Sequence, residues 1–213
     1  MGHLFPIFIN LRGKKCLIIG GGEVAERKIE DLLQYEAAIT IVSPQVTDKI
    51  RTWVESGIIT YLSREFEEDD INGIFMVFAA TNNSLVNQEI AALCRKKDVL
   101  LNAVDDPLNC DFFIPSILRH NSLVIAVSTE GKSPLYARKI RQDLEKIISE
   151  EYGEFVDILG QQREYIKNMV PDIRDRKRIF QAIVDSDILE LLKAGENEKV
   201  RERLRECMSL WGE

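Results

Sequence analysis

The sequence has few histidines and few cysteines. Its 213 residues include two histidines, His3 and His120, and four cysteines that stand far apart in the chain. Neither set has the spacing of a zinc site or of a disulfide framework, so no protein-bound metal is predicted. Cys16 and Cys94 fall in a strand pattern and a helix pattern, where buried thiols are expected. Unpaired cysteines favour the reducing cytoplasm as the compartment.

Long apolar runs and an excess of positive charge are also missing. No stretch approaches the roughly 20 apolar residues that cross a bilayer, and the first ten residues lack the basic start and cleavage site of a signal peptide. The formal net charge of −7 at pH 7 argues against nucleic acid as a partner. The sequence therefore predicts a globular chain of one large or two modest domains, without a membrane or a nucleic acid as partner.

The most informative stretch is a glycine turn between a strand pattern and a helix pattern. Apolar residues 16–19 precede Gly20-Gly21-Gly22, and apolar positions then recur at helical spacing. Gly20, Gly22 and Ala25 fit the dinucleotide-binding pattern G-x-G-x-x-G/A, in which the glycines permit a tight turn and a close approach to a pyrophosphate. The anion would lie at the helix N-terminus. Cofactor contacts are therefore expected at Gly20, Gly22, Glu23 and Val24.

Strand and helix patterns alternate through the first half of the chain. Strands are predicted at 38–43, 58–62, 74–79 and 100–104, and helices at 46–55 and 84–97, the second capped by Ser84. Such alternation predicts right-handed βαβ units and a Rossmann-type parallel sheet of the α/β class.

The pattern changes near residue 111. Strands at 112–114 and 123–128 are predicted to flank a polar turn at 119–122, and Ser133-Pro134 begins a helix to about 149. Charged helices follow, divided by Pro171. The predicted domains are a nucleotide-binding domain (1–113), a small α+β dimerisation segment (114–149) and a helical C-terminal domain (150–213). The middle segment is too short to bury a core alone, which favours a homodimer built through it.

Ligands of open α/β sheets bind beyond the carboxyl ends of the strands. Two loops besides the glycine turn are therefore expected to contact the cofactor, Ser43-Pro44-Gln45 and Thr81-Asn82. Ser43 stands where many NAD-binding sheets have an acidic residue for the ribose. No arginine follows at once to favour a 2′-phosphate, so NAD is predicted rather than NADP.

Two polar stretches have more than one interpretation. Asp105 and Asp106 follow the last strand of the sheet. Adjacent carboxylates repel each other, which raises the pKa of one of them and suits it to act as a general base. The same residues precede Pro107, and an Asp-Asp-Pro turn is an ordinary way to leave a strand. The loop 128–134, which leads into a helix that carries Arg138, is either an anion site or the capped start of a surface helix.

Five stretches together resemble the precorrin-2 dehydrogenase family, the type that also forms the N-terminal domain of siroheme synthases. They are Gly-Gly-Gly-Glu-Val-Ala-Glu-Arg-Lys at 20–28, Ala-Ala-Thr-Asn at 79–82, Asn-Ala-Val-Asp at 102–105, Phe-Phe-Ile-Pro-Ser at 112–116 and Ala-Val-Ser-Thr-Glu-Gly-Lys-Ser-Pro at 126–134. The resemblance implies that precorrin-2, a tetrapyrrole with eight carboxylates, is oxidised to sirohydrochlorin with NAD. Some members also insert ferrous iron to give siroheme.

The resemblance implies site residues and an assembly as well. Asp105 matches the family's catalytic carboxylate, and the assembly would be an intertwined homodimer with the active site in a cleft between domains. Because the substrate is an octacarboxylate, local positive charge is expected despite the net −7, with Arg119, His120, Lys132 and Arg138 as candidates. Substrate contacts are predicted at Ser128, Thr129, Lys132 and Arg138.

Two other functions are compatible with parts of this pattern. A chelatase with a vestigial nucleotide fold is disfavoured by the intact Gly20, Gly22 and Ala25. An NAD-binding, ligand-sensing regulatory module would usually keep an acidic residue in place of Ser43, and would not need the segment 121–146. Whether a dehydrogenase of this kind also inserts iron stays open, because members with one and with two activities share these motifs.

Overall fold

The computed structural model describes residues 3–104 and 106–209. These residues form two compact units, 3–114 and 115–209. The boundary predicted near residue 113 lies beside this division, whereas the one predicted near residue 149 lies inside the second unit.

The first unit is a parallel β-sheet with helices on both faces. Within its described residues the order is β1 (Lys15–Ile19), α1 (Glu23–Leu33), β2 (Ala38–Val42), α2 (Asp48–Glu55), β3 (Thr60–Leu62), β4 (Met76–Ala79), α3 (Ser84–Lys96) and β5 (Leu100–Ala103). The strands lie side by side in the order β3-β2-β1-β4-β5, and every neighbouring pair is parallel. The predicted Rossmann-type sheet is thereby confirmed.

The apolar strand runs are explained by burial on both faces of this sheet. Alternate side chains of β1 and β4 point to opposite sides, as the pleat requires. Leu17 and Val77 pack with α3 on one face, while Ile18 and Phe78 pack with α1 on the other. Strands covered on both sides read as continuous rather than alternating apolar runs.

The second unit joins a β-hairpin to a group of helices. Its elements are β6 (Ser116–His120), β7 (Leu123–Val127), α4 (Pro134–Glu145), α5 (Glu150–Met169), α6 (Ile173–Val184), α7 (Ile188–Lys193) and α8 (Asn197–Ser209). The two strands are antiparallel, and α4 and α5 pack against them. Apolar side chains of α5 to α8 form a separate core around Ile166, Ile179 and Ile183.

The structure corrects the start of the hairpin. The sequence predicts its first strand at 112–114 and a four-residue turn at 119–122. The observed strand begins at Ser116, and His120 pairs directly with Leu123. The turn needs only two residues because Asn121 adopts φ +47°, a left-handed conformation that asparagine tolerates. Phe112 instead packs edge-on against Phe78, with 5.5 Å between the ring centroids.

Helix limits also differ from the prediction. Asn83 rather than Ser84 caps α3, since its side-chain oxygen accepts hydrogen bonds from the Leu85 and Val86 amides. The helix that begins at Pro134 ends at Glu145 rather than near 149. Among the described residues, no helix combines the length and apolar character that crossing a membrane requires.

The two cysteines predicted as buried thiols are buried, which confirms that prediction. Burial raises the pKa of both Cys16 and Cys94 to about 11. Both thiols therefore stay protonated at neutral pH and act as apolar core groups.

Candidate cofactor-binding site

The carboxyl ends of four parallel strands meet at one edge of the sheet. Ile19 of β1 is in register with Val42 of β2 and with Ala79 of β4, and Ala79 is in register with Ala103 of β5. The loops predicted to bind ligands begin directly after these residues, at Gly20, Ser43, Ala80 and Val104. The chain turns here from the β2 side of β1 to its β4 side, which is the switch point where such sheets bind ligands.

The first residue of each loop extends the strand ladder by one hydrogen bond. The Gly20 amide donates to the Val42 carbonyl at 3.0 Å, and the Ala80 amide donates to the Ile19 carbonyl at 2.8 Å. The Val104 amide donates to the Ala79 carbonyl at 2.9 Å. The positions of the loop starts are therefore set by the sheet itself.

The three glycines of the turn serve two different purposes. A Cβ atom on Gly20, whose φ is +110°, would lie 2.3 Å from the Ala80 carbonyl oxygen, and one on Gly21 would lie 1.9 Å from the Gln45 carbonyl oxygen. A Cβ atom on Gly22 would have no neighbour within 4 Å. The protein's own backbone thus requires Gly20 and Gly21, whereas Gly22 faces open space.

The N-terminus of α1 is open at the same place. Gly22 is its N-cap and supplies no side-chain acceptor, so the amides of the first turn have no capping group. Ala25 is fully buried against the sheet, as the third position of the pattern predicts. Free amides beside an open glycine face fit a pyrophosphate. The fold and this local geometry together define a dinucleotide-binding protein of the α/β class.

Thr47 anchors the glycine turn, a role that the sequence analysis missed. Its amide donates to the Gly21 carbonyl at 3.1 Å, and its hydroxyl donates to the Glu26 carboxylate at 2.8 Å. The same hydroxyl accepts the Ile50 amide as the N-cap of α2. Glu26 also lies 3.4 Å from Lys49 Nζ, so its charge at the helix start is partly compensated. A threonine just before a helix was the available signal.

Ser43 is less accessible than the sequence suggests. Only 8% of the residue is exposed, and its hydroxyl donates to the Gln45 carbonyl at 2.7 Å. The Tyr61 hydroxyl in turn donates to the Ser43 carbonyl at 3.0 Å. Pro44 and Gln45 are exposed, so the side chain of Gln45 is better placed than that of Ser43 to reach a ribose.

The arginine beside this loop is already paired. Arg64 follows β3, the neighbour of β2, and donates two hydrogen bonds to the Asp70 carboxylate, at 2.8 and 2.6 Å. These hydrogen bonds hold the pKa of Asp70 below its usual range. A guanidinium engaged in a bidentate pair is not available for a 2′-phosphate.

In the loop after β4, the side chain of Thr81 is engaged in a hydrogen bond within the protein, whereas that of Asn82 is exposed. The Thr81 hydroxyl donates to Asn87 Oδ1 at 2.6 Å, and Asn87 Nδ2 returns a hydrogen bond to the Thr81 carbonyl at 3.1 Å. Asn82 is exposed and makes no hydrogen bond within the described parts of the chain. Thr81 shapes the loop, and Asn82 is the side chain that can reach a ligand.

Asp105, the predicted catalytic residue, lies outside the described residues. In the described residues before and after it in the chain, two contacts are seen. The Cys110 thiol lies 3.2 Å from both the amide nitrogen and the carbonyl oxygen of Ala103. The Asp106 carboxylate accepts a hydrogen bond from Asn109 at 2.5 Å. This hydrogen bond gives Asp106 a structural role in the Asp-Pro turn. Burial raises the pKa of the Cys110 thiol, which keeps it protonated.

The loop predicted to bind substrate belongs to the second unit. Ser128 and Thr129 accept hydrogen bonds from the amides of Glu130 (3.1 Å) and Ser133 (3.0 Å), so both hydroxyls keep a proton to donate. Lys132 is largely exposed and lies 3.9 Å from the Glu130 carboxylate. Arg138 is exposed on α4 and makes no ion pair within residues 3–104 and 106–209.

His120 is held by the fold of the second unit. Its Nε2 lies 2.9 Å from the Ile148 carbonyl, and a Cβ atom on Gly153 of α5 would lie 2.3 Å from the His120 carbonyl oxygen. The imidazole therefore fastens the hairpin to the connection between α4 and α5. Its predicted contact with substrate carboxylates stays a prediction.

Three family models match the chain, in succession. One described as "Putative NAD(P)-binding" matches residues 7–116, one described as "Sirohaem biosynthesis protein central" matches 121–147, and one described as "Sirohaem synthase dimerisation region" matches 151–208. The first covers more than half of the chain. The chain belongs to this NAD(P)-binding family, in the group that includes siroheme synthases and precorrin-2 dehydrogenase. The family predicted from the five motifs is confirmed, as is a nicotinamide dinucleotide as the cofactor.

Individual relatives give the same assignment. The siroheme synthase of Nitrosococcus oceani is 34% identical over 203 residues, which are 95% of this chain and 43% of that protein. The siroheme synthase of Photorhabdus laumondii is 31% identical over 94% of this chain and 43% of its own length. The chain thus spans less than half of these relatives. A solved structure of SirC, precorrin-2 dehydrogenase, is 28% identical with a TM-score of 0.81, over 97% of this chain and all of that one.

Proposed function

We propose that this chain is an NAD-dependent dehydrogenase that oxidises precorrin-2 to sirohydrochlorin in siroheme biosynthesis. The observation that carries the proposal is the glycine turn at the switch point of the sheet, where Gly22 and the uncapped start of α1 leave room for a pyrophosphate. The likeness to siroheme synthases and to a precorrin-2 dehydrogenase supports the choice of substrate.

The oxidation takes a hydride from one carbon of the macrocycle and a proton from another position. NAD, when bound, supplies the hydride acceptor. The amides around Gly22, Glu23 and Val24 hold its pyrophosphate, and Gly20 shapes the turn. The remaining cofactor contacts are proposed from the loops after β2 and β4, at Ser43, Pro44, Gln45, Thr81 and Asn82. Asp105 accepts the proton as the general base.

The test is to follow the absorption spectrum of sirohydrochlorin while the protein is incubated with precorrin-2 and either NAD or NADP. We expect turnover with both and a KM for NAD about tenfold or more below that for NADP, since Arg64 is already paired with Asp70 and an unpaired 2′-phosphate forfeits a charge-assisted contact. Binding of NAD without any oxidation would favour the ligand-sensing module instead. A lower KM for NADP would contradict the cofactor choice.

The substrate carboxylates are proposed to meet Ser128, Thr129, Lys132 and Arg138. Two hydroxyl protons and two exposed cations on one loop and helix start suit this role. Arg138→Glu is expected to raise the KM for precorrin-2 about tenfold or more at a nearly unchanged kcat, because it replaces a charge-assisted contact with repulsion.

Steady-state kinetics with Lys139→Glu provides the matched control for Arg138→Glu. Lys139 is the next residue of α4, and its ammonium lies 3.2 Å from the Asp143 carboxylate, so its reversal should leave the KM for precorrin-2 close to that of the wild type. An unchanged KM in Arg138→Glu would remove Arg138 from the substrate site.

A further proposal concerns the assembly of the protein. A homodimer in the cytoplasm is proposed, supported by the dimerisation model over 151–208, although the sequence prediction had assigned this role to 114–149. Sedimentation of a monomer at micromolar concentration would contradict the dimer.

Iron insertion is the second activity that some members of the family have. It is tested by supplying sirohydrochlorin and ferrous iron to the same protein, with the siroheme spectrum as the readout.

A further inference from the structure

A groove in the second unit is lined mainly by basic side chains. It lies between α5 and α6 and has a volume of about 640 Å³, within the range of small-molecule sites. Its basic residues are Arg163 and Lys167 of α5, and Arg176 and Lys177 of α6, against a single carboxylate, Glu164. In a chain with a net charge of −7, this is a local reversal of sign.

Several basic residues on other helices of the same unit are paired with a carboxylate on their own helix. Lys139 of α4 lies 3.2 Å from Asp143, and Arg201 of α8 lies 2.9 Å from Glu198, each one helical turn away. The side chains of Arg163, Lys167 and Lys177, in contrast, make no ion pair or hydrogen bond with a described residue. Arg163 and Lys167 are also four residues apart on one helix face, where like charges repel each other.

The groove also has a fixed guanidinium and an apolar wall. Arg176 Nε donates to the Val170 carbonyl at 2.6 Å, and its Nη2 lies 3.3 Å from the Pro171 carbonyl, so Arg176 is held where α5 ends. Ile173 lines the groove with 76% of its surface exposed. Phe180 lines it as well. Unpaired cations next to exposed apolar surface suit an anion that has a flat apolar body.

We propose that this groove, which is in a different unit from the glycine turn, binds the carboxylate-bearing rim of a tetrapyrrole. The ligand class rests on the proposed function, whereas the position of the site rests on the groove alone. The cations bind the carboxylates, and Ile173 and Phe180 contact the ring system. Smaller anions such as phosphate would use the cations but gain nothing from the apolar wall.

The test uses uroporphyrin I, a fluorescent octacarboxylate porphyrin that needs no metal, titrated into the full chain at low salt. We expect Lys167→Glu/Lys177→Glu to weaken binding about tenfold or more, and Lys167→Gln/Lys177→Gln to weaken it less but measurably, because charge-assisted contacts are lost. Added salt should weaken binding to the wild type, since the cations are exposed. Circular dichroism melting checks that each variant stays folded.

The control is Lys139→Glu/Lys199→Glu, which changes the net charge by the same amount at two lysines that are paired. It should bind the porphyrin like the wild type. Three results would overturn the inference: equal binding by the groove variants, an equal loss in this control, or competition by phosphate or citrate as effective as that by a porphyrin. Sedimentation of the groove variant as a monomer, with the wild type a dimer, would also overturn it by making the groove a subunit interface.

The outcomes for this groove and for the proposed function are separable. Precorrin-2 oxidation with unaltered porphyrin affinity in Lys167→Glu/Lys177→Glu overturns the groove alone. Porphyrin binding that depends on Lys167 and Lys177, in a protein that never oxidises precorrin-2, supports the groove and overturns the proposed dehydrogenase.

Discussion

Replacing Asp105 with asparagine is expected to lower kcat for precorrin-2 oxidation by about 10²- to 10⁴-fold, the usual contribution of a general base. The amide is nearly isosteric with the carboxylate but cannot take up the proton that leaves the macrocycle. NAD affinity should stay close to that of the wild type, because the proposed cofactor contacts come from other loops. Asp105→Ala should behave in the same way. Single-turnover spectra and NAD titration by fluorescence measure the two quantities separately.

Asp106→Asn is the matched control for this prediction. The Asp106 carboxylate accepts a hydrogen bond from Asn109, so its replacement should cost about 0.5–1.5 kcal/mol of stability. Its kcat should remain within a few-fold of the wild type. If Asp106→Asn lost activity while Asp105→Asn kept it, the roles of the two aspartates would be exchanged. An active Asp105→Ala protein would refute a catalytic role for Asp105.

The second large effect concerns the glycine turn, where neighbouring substitutions should have opposite consequences. Gly22→Ala is expected to leave thermal stability unchanged, since its Cβ would meet nothing within 4 Å, yet to weaken NAD binding about tenfold or more by filling the space for the pyrophosphate. Gly21→Ala is expected to lower the free energy of unfolding by about 1–3 kcal/mol, a typical cost of overpacking. Its Cβ would lie 1.9 Å from the Gln45 carbonyl oxygen.

Differential scanning calorimetry without NAD, followed by NAD titration, distinguishes the two variants. A destabilised Gly22→Ala protein with normal NAD affinity would show that Gly22 serves the fold rather than the cofactor. Gly20→Ala should combine a lowered melting temperature with weakened NAD binding, because its φ of +110° and its contact with Ala80 both exclude a side chain. The Gly20→Ala variant therefore cannot replace Gly22→Ala as a probe of the cofactor site.

Local patterns in the sequence were sufficient for much of the first unit. The apolar runs of β1 and β4, the glycines between strand and helix, and the alternation with helices all depend on period and backbone conformation, which neighbouring residues set. The same holds for the helix start at Ser133-Pro134, whose serine side chain accepts the Tyr136 amide. Parallel order then follows from the short crossover connections, so the edge where the loops meet was predictable.

Contacts between residues distant in the sequence were decided only by the tertiary structure. Gly21 must be glycine because the Gln45 carbonyl approaches it, and Arg64 is unavailable because Asp70 holds it. No local pattern decides whether Asp106 is catalytic or belongs to a turn, whereas the hydrogen bond from Asn109 assigns it to the turn. The cations of the α5–α6 groove likewise read as ordinary solvated helix faces along the sequence. By itself the sequence determined the sheet, the glycine turn and the family, because these depend on local patterns; the fold decided which side chains are already engaged and which remain free to bind a ligand, because that depends on long-range packing.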